Sequence, residues 1–75
     1  MNKYVYAYCP VDEWPELRVV QANSYNRAVE KLIQKFSDDF NDDAIQEVDD
    51  FLELREYLND KYTVALSDLE YIEEL

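Results

Sequence analysis

The chain has 75 residues, a net charge of −11, no histidine, no glycine and one cysteine. Without histidine it lacks Ser-His and Cys-His nucleophile pairs and most kinds of zinc site, and without glycine it lacks the phosphate-binding loops that depend on it. Because 48% of the residues are hydrophobic, we expect a single globular domain over residues 1–75 rather than a disordered acidic tail.

Residues 3–9 alternate strictly and predict a first β-strand, with Tyr4, Tyr6 and Tyr8 on one side. The side predicted to face the helices consists of Val5, Ala7 and Cys9, unless the two faces are inverted. Three tyrosines on the open face would suit a partner or a homodimer, or they are simply tolerated on a half-wet surface; both interpretations stay open.

Residues 10–15 are expected to form a loop, because neither Pro10 nor Pro15 can donate to a central strand ladder. Residues 16–22 are rich in β-forming residues and predict the hairpin partner of the first strand. Trp14 lies near the hairpin tip, either as a lid on the edge of the core or as an exposed anchor for a partner.

The next segment predicts a helix over about 24–37. Asn23 and Ser24 supply N-cap chemistry, and apolar residues follow at helical spacing. Residues 37–41 interrupt the pattern, and we expect Phe40 to point inwards. Without glycine, positive φ angles should fall to asparagine or aspartate, with Asn23, Asn41 and Asn59 as candidates.

Residues 38–60 hold ten of the 18 acids and, as their only base, Arg55. Apolar residues at three- and four-residue steps predict one helix over about 42–59. The carboxylates along it are Asp42, Asp43, Glu47, Asp49, Asp50, Glu53, Glu56 and Asp60. In one helix they would extend over about 27 Å, roughly one charge per 3.4 Å, which is close to the phosphate spacing of one DNA strand.

Residues 61–66 alternate and predict a third strand. The sequence SDLE at 67–70 fits a capping box, which predicts a short C-terminal helix over 67–75, although the strand could extend to Ile72. The expected fold is therefore α+β, with a small antiparallel sheet packed against two helices in the order β-β-α-α-β.

Charge is segregated along the chain: residues 1–37 have five bases and four acids, and residues 38–75 have fourteen acids and two bases. A solvated helix face that keeps the protein soluble would not require this segregation. It favours a directional surface for a positively charged partner.

Sites for metals, catalysis and nucleic acid are not indicated. Residues 39–50 place five oxygen-bearing side chains on the frame of a calcium loop, but Ala44 replaces the required glycine and Asp50 the bidentate glutamate. We therefore predict no metal, no cofactor and no enzymatic activity. The net charge of −11 repels phosphate, which argues against direct binding of nucleic acid.

The lone Cys9, the lack of a signal peptide and the lack of an apolar run near 20 residues predict a cytoplasmic protein with no membrane contact. Cys9 itself is expected to be a small core residue.

The leading hypothesis is an inhibitor that blocks a basic, nucleic-acid-binding host protein by imitating a phosphate backbone. In size, acidity and lack of an active site the chain is similar to the small inhibitors of phages and mobile elements, such as anti-restriction and anti-CRISPR proteins, although no motif is shared. The partner-binding residues would be the eight carboxylates, Trp14, Tyr4, Tyr6 and Tyr8. The alternative is a non-catalytic structural or adaptor protein, including a homodimer through the tyrosines.

Overall fold

The computed structural model describes residues 1–74. In chain order the elements are β1 (Asn2–Pro10), β2 (Glu16–Ala22), α1 (Tyr25–Phe40), a 3-10 turn (Asp43–Glu47), α2 (Phe51–Tyr62), β3 (Val64–Leu66) and β4 (Glu70–Glu74). The α+β class, the antiparallel sheet and the order β-β-α-α-β predicted from the sequence are confirmed.

Strand β1 is the centre of the sheet. It pairs with β2 along one side, with Tyr4 opposite Val20 and Ala7 opposite Leu17. On the other side, residues 8–10 of β1 pair with β3 and residues 2–5 pair with β4. All described strand pairs are antiparallel, so the longest strand organises the three shorter ones.

The predicted C-terminal helix was wrong, because residues 70–74 form strand β4. Ser67 does not cap a helix: its backbone N–H donates to the Ala7 oxygen at 3.0 Å, and its Oγ accepts from the Ala7 N–H at 2.7 Å. The serine thus continues the ladder between β3 and β4, and β4 satisfies backbone groups of β1 that would otherwise lie at an open edge. Leu75, the end of the predicted helix, lies outside the described residues.

The predicted orientation of β1 was inverted. Tyr4 and Tyr6 face the helices and are only 4% and 2% exposed, and Tyr8 stacks on Phe36 of α1 with ring centroids 5.9 Å apart. Large rings span the gap to the helices and bury more area than the small side chains on the other side of the strand could. The tyrosines therefore form core, and the open-face surface predicted for them does not exist.

The open face of the sheet carries the smaller residues of β1. Val5, Ala7 and Cys9 are half-buried there, and Cys9 lies opposite Ala65 of β3. The expectation that Cys9 belongs to the core was therefore wrong. It follows from the same inversion, since residues at odd positions share one face.

Helix α1 begins as predicted and ends three residues later. Ser24 is its N-cap, and Ser24 Oγ accepts from the Arg27 N–H at 3.2 Å. The helix continues to Phe40, whose ring packs inwards on Tyr62 at 4.3 Å, and Asn41 closes it with a φ of 51°. The prediction of a positive φ is confirmed at Asn41 but was wrong for Asn23 and Asn59. Among the described residues, Asp12 also has a positive φ of 63°, as expected for asparagine or aspartate, whereas Thr63 with a φ of 56° departs from that expectation.

The single helix predicted over residues 42–59 was wrong. A 3-10 turn occupies 43–47, Val48 is extended, and α2 begins only at Phe51 and continues to Tyr62. The predicted third strand is correspondingly shorter, because residues 61 and 62 belong to α2. The break changes the geometry of every carboxylate in this segment.

Candidate functional site: the acidic surface

Two aspartates divide the acidic segment by capping. Asp42 is the N-cap of the 3-10 turn and accepts from the Ala44 N–H at 3.1 Å. Asp50 is the N-cap of α2 and accepts from the Glu53 N–H at 2.8 Å, while Glu53 Oε2 accepts from the Asp49 N–H at 2.6 Å. These reciprocal bonds resemble a capping box and fix the start of α2, so the two caps produce two elements instead of one helix.

Asp42 is not available to a partner. Its Oδ2 accepts from Tyr57 and Tyr62 hydroxyls, both at 2.7 Å, and from Lys61 Nζ at 2.9 Å. The side chain is only 10% exposed. We call Asp42, Tyr57, Lys61 and Tyr62 the Asp42 cluster. It ties the beginning of the 3-10 turn to the last turns of α2, so Asp42 is structural and its prediction as a binding residue was wrong.

Within the Asp42 cluster, the pKa values of Asp42, Lys61 and Tyr62 are shifted in the directions that favour the ion pair. Hydrogen bonds from Lys61, Tyr62 and Tyr57 lower the pKa of Asp42 well below its usual range. The hydrogen bond to Asp42 in turn raises the pKa values of Lys61 and Tyr62. At neutral pH the ion pair is therefore an ionised Asp42 carboxylate beside the Lys61 ammonium group, with the Tyr62 phenol neutral.

The other seven predicted carboxylates are exposed. Four of them line one shallow groove of about 350 Å³ between the 3-10 turn and α2, with Ala44, Val48 and Tyr57 as the remaining described lining. We call this the acidic groove; its carboxylates are Glu47, Glu53, Glu56 and Asp60. The structure thus gathers half of the eight predicted carboxylates around an apolar floor, although they do not form a regular ladder.

Positive charge near the acidic groove is already paired. Arg55, the base within the segment, donates from Nη1 to Asp68 Oδ1 at 2.6 Å, and Lys61 belongs to the Asp42 cluster. Among the described residues, no base lines the groove. Its carboxylates therefore repel one another and attract cations from outside the molecule.

Asp49 and Asp50 lie apart from the acidic groove. They line a second groove, of about 540 Å³, where the loop before α2 meets α1, and Glu30 of α1 lies on the same lining. Sequence reasoning missed Glu30, because nothing in the pattern of residues twenty positions away places it beside this loop. Asp43 is exposed at the start of the 3-10 turn and lines neither groove.

Trp14 is 92% exposed at the tip of the β1–β2 hairpin, so it is not a lid on the core. Val11 in the same loop is 56% exposed. An anchor role for Trp14 stays a prediction. Tyr4 and Tyr6 are too deeply buried to contact a partner, and Tyr8 is half-buried between Phe36 and the Arg18 guanidinium, which lies 3.9 Å from its ring centroid.

Among the side chains that the structure describes, no group of three or more histidine, cysteine, aspartate or glutamate residues is placed to hold a metal ion. No helix within residues 1–74 has the length and apolar character needed to cross a membrane. Comparisons with known protein families, with characterised proteins and with solved structures give no match.

Proposed function

We propose that this protein is a non-catalytic inhibitor that binds a basic, nucleic-acid-binding host protein and competes with nucleic acid for it. The carboxylates of the acidic groove would bind the partner at the surface where it otherwise binds the phosphates of nucleic acid. The observation that carries this proposal is the concentration of four carboxylates around one groove that no described base lines. Such a surface is opposite in charge to a cluster of lysines and arginines, and this complementarity favours rapid association.

The mimicry we propose depends on charge density and not on regular spacing. Helix α2 has 12 residues, about 18 Å in length, and Glu53, Glu56 and Asp60 are its only acids. A ladder at phosphate spacing over about 27 Å would need the continuous helix that the chain does not form. The partner surface that fits is therefore a compact basic patch, with room for the apolar floor of Val48 and Tyr57.

Trp14 is the residue we propose as an apolar anchor, because burying a fully exposed indole would contribute most to the affinity of such a contact. We place the inhibitor in the cytoplasm, where a reducing environment suits the free thiol of Cys9. Inhibition of a nucleic-acid-binding defence protein by a phage or mobile element is the setting in which we propose that it acts.

Charge reversal tests the proposal. Wild-type protein and the variant Glu56→Lys/Asp60→Lys are immobilised and exposed to nuclease-treated lysate, and duplex DNA is used for elution. The matched control Glu13→Lys/Glu70→Lys has the same net charge but leaves the acidic groove intact. We expect wild type and control to retain a nucleic-acid-binding protein that DNA displaces, and we expect the groove variant to bind it at least about tenfold more weakly.

The retained protein is then purified and its binding to labelled duplex DNA is followed by fluorescence anisotropy. Wild-type protein should lower DNA binding, with an effect that weakens as salt is raised. Equal retention by wild type and by the groove variant, or a complex that DNA cannot displace, would contradict the proposal.

A second candidate is a structural or adaptor protein that forms a homodimer. The tyrosines cannot supply its interface, but the open sheet face can, because Leu17 and Val19 are 77% and 53% exposed there. This interface would be apolar and would survive high salt. Light scattering at high salt separates the candidates, since only the homodimer predicts twice the monomer mass without a partner.

A further inference from the structure

The outer edge of β2 lies beside α1, and the groove between them is opposite in charge to the acidic groove. It has a volume of about 510 Å³, and Arg18, Lys31 and Lys35 line it. Glu16 is the one acid among the described lining residues. We call it the basic groove. Three of the seven bases in a chain of net charge −11 therefore lie together at one edge of the sheet.

Some backbone N–H and C=O groups of β2 point away from β1, towards the outer edge of the sheet. Both backbone groups of Ala7 are used by Ser67 on the far side of β1, so the pair of Ala7 and Leu17 is not hydrogen-bonded. In an antiparallel ladder such pairs alternate, and their strands direct N–H and C=O groups away from each other. The backbone groups of Leu17, Val19 and Gln21 therefore face outwards, where the described part of the chain has no further strand.

A hydrogen bond from Lys31 shows that the backbone oxygen of Gln21 faces outwards. Its Nζ reaches from α1 to the Gln21 backbone oxygen and donates to it at 2.5 Å, so that one outward acceptor of β2 is satisfied by a side chain. This is the position that an N–H group of an added strand would take. Lys35, one turn along α1, pairs with Asp39 at 3.2 Å, and both of these side chains are about half exposed.

A strand added to β2 would meet different chemistry on its two faces. Side chains directed at α1 would approach Lys31 and Lys35, and those directed at the open face would extend the apolar surface of Leu17 and Val19. The matching sequence alternates acidic and apolar residues. Main-chain hydrogen bonds would supply affinity and the lysines would supply selectivity.

We propose that the outer edge of β2 binds an extended acidic segment of a partner protein as an additional strand, with its carboxylates on Lys31 and Lys35. This site is separate from the acidic groove and does not depend on the function proposed for it. A second copy of the chain is a poorer occupant, because pairing two β2 edges would bring the three bases of each basic groove close to those of the other.

The probe for this site is a fluorescein-labelled eight-residue peptide that alternates glutamate and valine. We expect saturable binding by fluorescence anisotropy, and amide shifts in nitrogen–proton NMR spectra that centre on residues 16–22. A peptide with lysine in place of glutamate should bind at least about tenfold more weakly. N-methylation of the amides on one edge of the peptide should abolish binding, and methylation on the other edge should not, because a strand pairs through one edge only.

Single charge reversals on α1 locate the contact. Lys31→Glu should weaken binding of the acidic peptide about tenfold. The matched control is Arg27→Glu, one turn earlier on α1 and not part of the described lining of the groove, where Arg27 pairs with Glu30 at 2.8 Å. It should change affinity by less than about twofold.

Three results would overturn the proposal. Equal affinity of the two N-methylated peptides would show attraction by charge without strand addition. Shifts centred away from β2 and α1 would place the peptide elsewhere. A dimer in light scattering whose β2 amides are protected from exchange, and which the peptide does not dissociate, would show that a second copy occupies this edge.

Discussion

Helix α1 is continuous over 16 residues, whereas the acidic segment 42–62 is divided into a 3-10 turn and α2. In α1 a single cap, Ser24, precedes 16 helical residues, and later acids form pairs on the surface, such as Asp39 with Lys35. In the acidic segment, Asp42 and Asp50 both cap, eight residues apart. The second cap begins a new helix, because its carboxylate accepts the Glu53 N–H, which a continuing helix would donate to a backbone oxygen.

The comparison shows that an aspartate in an acidic stretch can act either as a surface charge or as a hydrogen-bond acceptor for the fold. Asp42 and Asp50 are acceptors, and the carboxylates of Glu56 and Asp60 are surface charges. The number of acids in a sequence therefore does not tell how many of them are surface charges. Substitutions that remove one role at a time can separate the two roles.

The largest effect is expected at Asp42. Asp42→Asn removes the charge that Lys61 and two phenols bind, and we expect the melting temperature to fall by roughly 10 °C. The control is Asp43→Asn, which removes a neighbouring exposed charge. This variant should lower the melting temperature by less than about 4 °C. Equal shifts in thermal unfolding followed by circular dichroism would mean that Asp42 is only a surface charge.

Lowering the pH should remove the same contribution of Asp42 to the stability of the fold. The pKa of Asp42 is lowered in the folded protein from an ordinary value of 3.8, so its stabilising effect is complete above about pH 5 and is lost as the pH falls further. The pKa of Lys61 is raised in the folded protein from an ordinary value of 10.5. The contribution of Lys61 to stability is therefore lost only as the pH rises above 10.5.

Urea unfolding of wild type and Asp42→Asn should therefore show a constant difference in the free energy of unfolding between about pH 5 and 9, and a shrinking difference from pH 4 to 2. Because the variant retains the other acids, their titration largely cancels in the comparison. A difference that stays constant down to pH 2 would contradict the role of the ionised carboxylate.

The N-cap of α2 should have a smaller effect. Asp50→Ala removes the acceptor for the Glu53 N–H and should lower the free energy of unfolding by about 1 kcal/mol. Hydrogen exchange should quicken most at the first turn of α2. Asp49→Ala removes a charge next to the cap but leaves the backbone N–H that Glu53 binds, and exchange that quickens equally in this variant would show a charge effect instead.

The two helices also end differently, and this should give the smallest effect. α1 ends on Asn41 and α2 on Thr63, both with positive φ angles of 51° and 56°. Asparagine tolerates this region, whereas the β-branched threonine is strained there. Thr63→Gly should therefore raise the free energy of unfolding by about 0.5–1 kcal/mol, and Asn41→Gly by less. Equal gains in urea unfolding would show that Thr63 is not strained.

Two features that depend on residues close together in the sequence were predicted correctly. They are the strand pair β1–β2 and the cap at Ser24. Their propensities and periods suffice, because the competing local structures are less stable. The exposed carboxylates of the acidic groove were also predictable as residues, since charged side chains rarely become fully buried.

The arrangement of these parts needed long-range contacts. Alternation in β1 assigns the tyrosines to one face but does not say which face the helices cover, and the choice follows from how well rings fill the space against Phe36. The fate of residues 67–74 was likewise undecided locally. The edge of β1 selected a strand there, because unpaired backbone groups cost more free energy than the loss of a marginal helical turn.

The sequence by itself determined the α+β class, the order β-β-α-α-β, the central hairpin and the concentration of negative charge after residue 37. Only the tertiary structure decided that Asp42 points inwards, that four other carboxylates share a groove, and that three bases gather at β2. The physical reason is that periodicity and capping act between neighbours in the chain, whereas the environment of a charge depends on side chains brought beside it by packing.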